Sequence, residues 1–104
     1  MIERIEALSD ANGKTKANAL VIFCKENGDE ILYLQSYASA VIRYNPAREY
    51  MTVGPDWDFS KTTMKHVRMF VDKYIPHLKD ASIKDIRDRL NRKDKVFYDG
   101  KLKL

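Results

Sequence analysis

Ala19-Leu20-Val21-Ile22-Phe23-Cys24-Lys25-Glu26-Asn27-Gly28-Asp29-Glu30-Ile31-Leu32-Tyr33-Leu34 is the stretch that decides the fold. Two apolar runs rich in β-formers flank Asn27-Gly28, the pair best suited to a two-residue turn whose central residues both need positive φ. The hairpin this predicts sets Phe23 against Leu32 and Val21 against Leu34. Lys25 and Glu30 then pair beside the turn.

Working outward, Ser39–Tyr44 alternates as a third strand, Asn45-Pro46-Ala47-Arg48 turns the chain, and Glu49–Val53 is a fourth. Short links between consecutive strands favour an antiparallel meander, because parallel pairs need long crossovers. Towards the N-terminus, Ser9–Asn18 is small and polar and reads as a loop. Before it, Ile2, Ile5 and Leu8 lie at helical spacing, enough for a short helix or a fraying arm.

Gly54-Pro55-Asp56 breaks the sheet, and Trp57-Asp58-Phe59-Ser60-Lys61-Thr62-Thr63-Met64-Lys65-His66-Val67-Arg68-Met69-Phe70-Val71 opens a helix. Ser60 is its expected N-cap, and Thr63, Met64, Val67, Phe70, Val71 and Tyr74 form one apolar stripe. Pro76 ends it. A second helix is expected from Ser82, whose spacing to Asp85 resembles a capping box. Lys95–Leu104, centred on Asp99-Gly100, reads as another hairpin. The expected fold class is α+β: a meander of about four strands, helices packed on one face, and a C-terminal β-hairpin.

At 104 residues the chain, 1–104, has room for a single domain. With 44% hydrophobic and 33% charged residues it is too apolar for disorder, and no apolar run approaches the roughly 20 residues of a membrane span. Met1–Glu6 lacks the basic-then-apolar order of a signal peptide, and a single Cys24 forms no intrachain disulfide. A cytoplasmic protein without membrane attachment is expected. The net charge of +4 is localised: residues 1–78 hold ten basic and ten acidic residues, whereas 79–104 hold nine and five. That excess reads as a solvated surface or as the footprint of an anionic partner.

No catalytic signature stands out. All four glycines are isolated, so neither a P-loop nor a dinucleotide fingerprint is present. Cys24, His66 and His77 are too few and too scattered for zinc, and Asp56 and Asp58 read as turn and capping residues. No cofactor or metal is expected. His66 reads as a boundary histidine bonded to the loop before the helix, or as part of a recognition surface. General acid/base work would need a nucleophile and an orienting third residue, which the sequence does not supply. Trp57 and Phe59 bracket the sheet-to-helix junction, where they staple the helix entry to the core; the alternative is Trp57 as an exposed anchor for a partner or a stacking platform for a base. Arg87, Arg92, Lys93, Lys95, Lys101 and Lys103, interleaved with Phe97 and Tyr98, form a weak nucleic-acid-binding pattern.

Two blocks carry a resemblance. Leu34-x-Ser36-Tyr37-x-Ser39-x-Val41 and Trp57-Asp58-Phe59-Ser60-x-Thr62-Thr63-x-Lys65-His66-Val67-x-x-Phe70 resemble the L-x-S-Y-x-T-x-V-A and W-x-[YF]-S-x-T-T-x-K-H-[IV]-x-x-F motifs of short, uncharacterised proteins. Those proteins belong to phages and other mobile elements of Gram-positive bacteria. Ser39 and Ile42 depart from the first motif, and the basic C-terminal extension departs from the family. The resemblance implies a phage-type setting in a bacterial host cell and no mechanism. The function expected is that of a small non-enzymatic interaction protein that binds and modulates a protein partner, such as a host defence component. Trp57, Thr62, Lys65, His66 and Met69 are its candidate contacts. The alternative is nucleic-acid binding through the basic C-terminal segment, and a homodimer stays open.

Overall fold

The computed structural model describes residues 2–91 and 96–98. Five antiparallel strands form the meander: β1 (Ile2–Ser9), β2 (Thr15–Glu26), β3 (Asp29–Ser36), β4 (Ser39–Asn45) and β5 (Tyr50–Val53), each beside its sequence neighbour. After them come helix α1 (Lys61–Tyr74), a 3₁₀ turn at Pro76–Leu78, helix α2 (Ile83–Asn91) and a short strand β6 (Val96–Tyr98). β6 lies parallel to β5, with Thr52 opposite Phe97. The expected second arm of the C-terminal hairpin lies outside the described residues.

The central hairpin has the predicted register: Phe23 faces Leu32, Val21 faces Leu34 and Lys25 faces Glu30. Asn27 (φ 51°) and Gly28 (φ 85°) both take the left-handed conformation that this turn demands. The strand count differs from the expectation of four because the N-terminal segment is a strand. A bulge interrupts its ladder with β2 between Ile2 and Arg4, and the register shifts again between Ala7 and Ser9. The expected loop is shorter too: Asp10 accepts from the amides of Asn12 and Lys14, and the chain re-enters the sheet at Thr15.

The helices cover one face of the sheet, and the main core lies between them. Val21, Phe23, Leu32, Leu34, Ile42 and Tyr44 from the sheet meet Val67, Phe70, Val71 and Ile75 from α1 and its C-cap, with Ile86 of α2 fully buried. Burying a large apolar side chain contributes about 1.5–3 kcal/mol, so these contacts dominate the fold's stability. The opposite face holds a smaller buried cluster, Ile22, Cys24, Ile31 and Tyr33. Burial raises the Cys24 thiol pKa. Tyr33 donates to Glu26 at 2.6 Å, and Arg43 reaches the same carboxylate at 3.2 Å. Burial and that bond push the Tyr33 hydroxyl up to about 12. The tyrosines therefore divide between the faces, since Tyr44 packs under the helices.

α2 starts as predicted. Ser82 Oγ accepts from the Asp85 amide at 3.1 Å, and Asp85 accepts from the Ser82 amide at 3.3 Å. Gly54 is needed where β5 leaves the sheet. A Cβ there would sit 2.7 Å from the Ala40 carbonyl oxygen, inside any tolerable contact. No helix among the described residues is long and apolar enough to cross a membrane.

Candidate functional site

The two motif blocks meet in space at the N-terminal end of α1. Ser36 and Tyr37, at the end of β3 and the start of the β3–β4 turn, lie against Ser60, Thr63 and His66. The turn has only two residues, Tyr37 and Ala38, because Ser36 pairs directly with Ser39. Tyr37 holds φ at 55°, a region that aromatic residues rarely occupy, while its side chain is 53% exposed.

Local rules set the helix end. Ser60 is extended and its hydroxyl accepts from the Thr63 amide at 3.1 Å, the expected N-cap. The same hydroxyl donates to Thr63 Oγ1 at 3.1 Å. Thr63 Oγ1 lies 3.4 Å from Ser36 Oγ, and Ser36 Oγ lies 2.9 Å from His66 Nδ1. With Ser60 donating, the chain closes when Thr63 donates to Ser36 and Ser36 to His66, which leaves the imidazole proton on Nε2. Thr63, Ser36 and His66 are all buried. Burial lowers the His66 pKa below its ordinary 6.5, and the nearby Lys65 and Lys16 charges lower it further. The ring is therefore neutral at pH 7, and its positive form is disfavoured where it sits.

This network replaces the predicted contact of His66. The histidine was expected to bond the loop before the helix; it bonds β3 instead, 30 residues away. The core stripe is rotated accordingly, so that His66 is buried and Met64 only partly so. A Ser–His pair also suggests a nucleophile and its base. Here Ser36 is only 3% exposed, and among the described residues no carboxylate is hydrogen-bonded to the imidazole. The arrangement ties a helix to a hairpin.

Outside the buried chain lies a cleft of about 520 Å³, lined by Tyr37, Ser39, Asp56, Phe59, Ser60 and Thr62 among others. Ser39 donates to Asp56 across it at 3.5 Å. Phe59 is 82% exposed. The junction aromatics thus divide: Trp57 is buried in the core with Arg87 over its ring, and Phe59 stands in solvent.

The predicted contacts disperse accordingly. Thr62 lines the cleft, Lys65 is exposed, and Trp57 and His66 lie inside the fold. Met69 packs against the core and borders a different hollow, with Ser9, Asp72 and Lys73. Of the basic residues, Arg87 is engaged by Asp58 at 3.1 Å; Arg92, Lys93, Lys95, Lys101 and Lys103 lie outside the described residues. Among the described residues no group of three or more His, Cys, Asp or Glu side chains is placed to hold a metal ion. Tyr37 and Phe59, which line the cleft, are not among the predicted contacts. The available signal was their position: a bulky aromatic in a two-residue turn, and a phenylalanine one residue before an N-cap.

Residues 4–91 match the model of a family of unknown function, DUF8033. Neither a curated protein nor a solved structure matches the chain.

Proposed function

We propose that the chain, which belongs to the family of unknown function DUF8033, is a small non-enzymatic interaction protein that binds a protein partner through the cleft beside the start of α1. The observation that carries this reading is the pair of exposed aromatic side chains, Tyr37 and Phe59, lining one cleft whose floor is a buried and fully satisfied polar network. Rigid aromatics around a groove supply contact area at low entropic cost, as binding hot spots do. The hydroxyls of Ser39, Ser60 and Thr62 and the Asp56 carboxylate add polar contacts that orient a partner's backbone. Backbone strain at Tyr37 persists because the flanking strand pair holds it, and such strain gathers at binding sites.

The motif resemblance supports a phage or mobile-element origin, action in the bacterial cytoplasm, and a partner among host components that the protein modulates. The nucleic-acid reading is the weaker one. Arg87 is occupied by Asp58 and Trp57, and its other residues lie outside the described ones.

Affinity capture from host lysate, with the wild type beside Tyr37→Ser and Phe59→Ser, tests the proposal. A partner held by the wild type and weakened by about 2 kcal/mol in either variant supports it. A partner retained equally by all three places recognition elsewhere. Capture only of nucleic acid, lost at raised salt, would favour the alternative.

A further inference from the structure

The outer edge of β1 has no strand beside it among the described residues, and its sequence is suited to a copy of itself. We infer that two copies of this chain pair antiparallel along β1, with the two-fold axis midway between their Ile5 residues, joining their meanders into one continuous sheet.

The regular part of the strand is short. Register shifts bound it on both sides, leaving Arg4, Ile5, Glu6 and Ala7 in unbroken register against Phe23, Ile22, Val21 and Leu20. Arg4 lies on the helix-covered face, its guanidinium 3.9 Å from the Phe23 ring centroid and 3.1 Å from Glu6. Ile5 points to the opposite face, beside Ile22, and is 54% exposed.

An antiparallel pair of identical strands is related by a two-fold axis normal to the sheet, so opposed residues share a face and the axis passes midway between the two copies of one residue. Four positions compete for it. Centring on Arg4 opposes the two arginines, and centring on Glu6 opposes the two glutamates; both set like charges at cross-strand distance. Centring on Ala7 sets Glu6 against Leu8 and leaves Arg4 unmatched. Centring on Ile5 sets Arg4 of each copy opposite Glu6 of the other, twice over. It also brings the two Ile5 side chains together on the open face, extending the apolar strip of Ile22 and Cys24 across the boundary. The charges that would repel other strand edges become a code for this one.

This surface lies apart from the cleft, so the two readings stand or fall separately. Sedimentation equilibrium of the full chain, from micromolar to sub-millimolar concentration, is expected to show a monomer–dimer equilibrium. Arg4→Glu alone and Glu6→Arg alone should each raise the dissociation constant roughly tenfold or more. Their equimolar mixture should form heterodimers, and both reversals in one chain should restore the homodimer. Ile5→Cys should cross-link on mild oxidation, because directly opposed Cα atoms lie within disulfide reach. A wild type that stays monomeric overturns the inference. So does a dimer indifferent to the single reversals, or an Ile5→Cys chain, folded by circular dichroism, that does not cross-link.

Discussion

The two ends of α1 are held by different physics. At its C-terminal end Phe70, Val71 and Ile75 are fully buried among apolar neighbours. At its N-terminal end a comparable burial encloses hydroxyls and an imidazole, each satisfied by the next. An apolar contact loses stability in proportion to what is removed, whereas a closed polar chain is weakened throughout when one member goes. The end with the less forgiving chemistry is the one that carries the exposed aromatics.

The largest expected effect tests the apolar end. Phe70→Ala should cost about 3–5 kcal/mol in urea denaturation and leave partner capture intact wherever the protein remains folded. Ser36→Ala tests the polar end, since it strips His66 and Thr63 of a shared partner. A loss of about 1–3 kcal/mol is expected, and a double-mutant cycle with His66→Phe should show strong coupling. Additivity in that cycle would mean the chain does not act as a unit.

A third comparison uses pH. The folded state lowers the His66 pKa, so the unfolded chain binds the proton more readily. Its contribution is whole above about 6.5 and is lost as pH falls from there towards the folded value. Stability measured between pH 7 and 5 should decline in the wild type and decline less in His66→Phe, while Phe70→Ala keeps the wild-type slope. The smallest effect is expected at the rim. Tyr37→Gly relieves a positive φ and should change stability by no more than about 1 kcal/mol, upwards if at all, while partner capture weakens. Loss of stability there would mean that the ring's contact with His66 outweighs the strain.

Much of the fold was legible because it rests on local rules. Asn27-Gly28 fixes a turn, Ser60 caps a helix, and Pro76 closes it. The N-terminal strand was hidden by its own bulge. The extra residue there, Glu3, lets Ile2 and Ile5 share a face at a spacing of three, which mimics a helix turn. The site was half legible. Its helix residues stand together in the sequence, but Ser36 and Tyr37 arrive from β3 and its turn, and no spacing rule links the two blocks. Trp57 and Phe59 were indistinguishable by type. Only the backbone between Gly54 and Ser60 decides which ring enters the core.

The nearest-neighbour order of the first five strands has a consequence for how the chain folds. Each strand needs only the one just made, so the meander closes through short loops and can grow outward from the Asn27-Gly28 hairpin. The Ser36–His66 bond, by contrast, must wait for two segments made at different times. Pulse-labelled hydrogen exchange should find the β2–β3 amides protected before those of the first turns of α1. The cleft is then a late product of folding, complete only in chains that have finished.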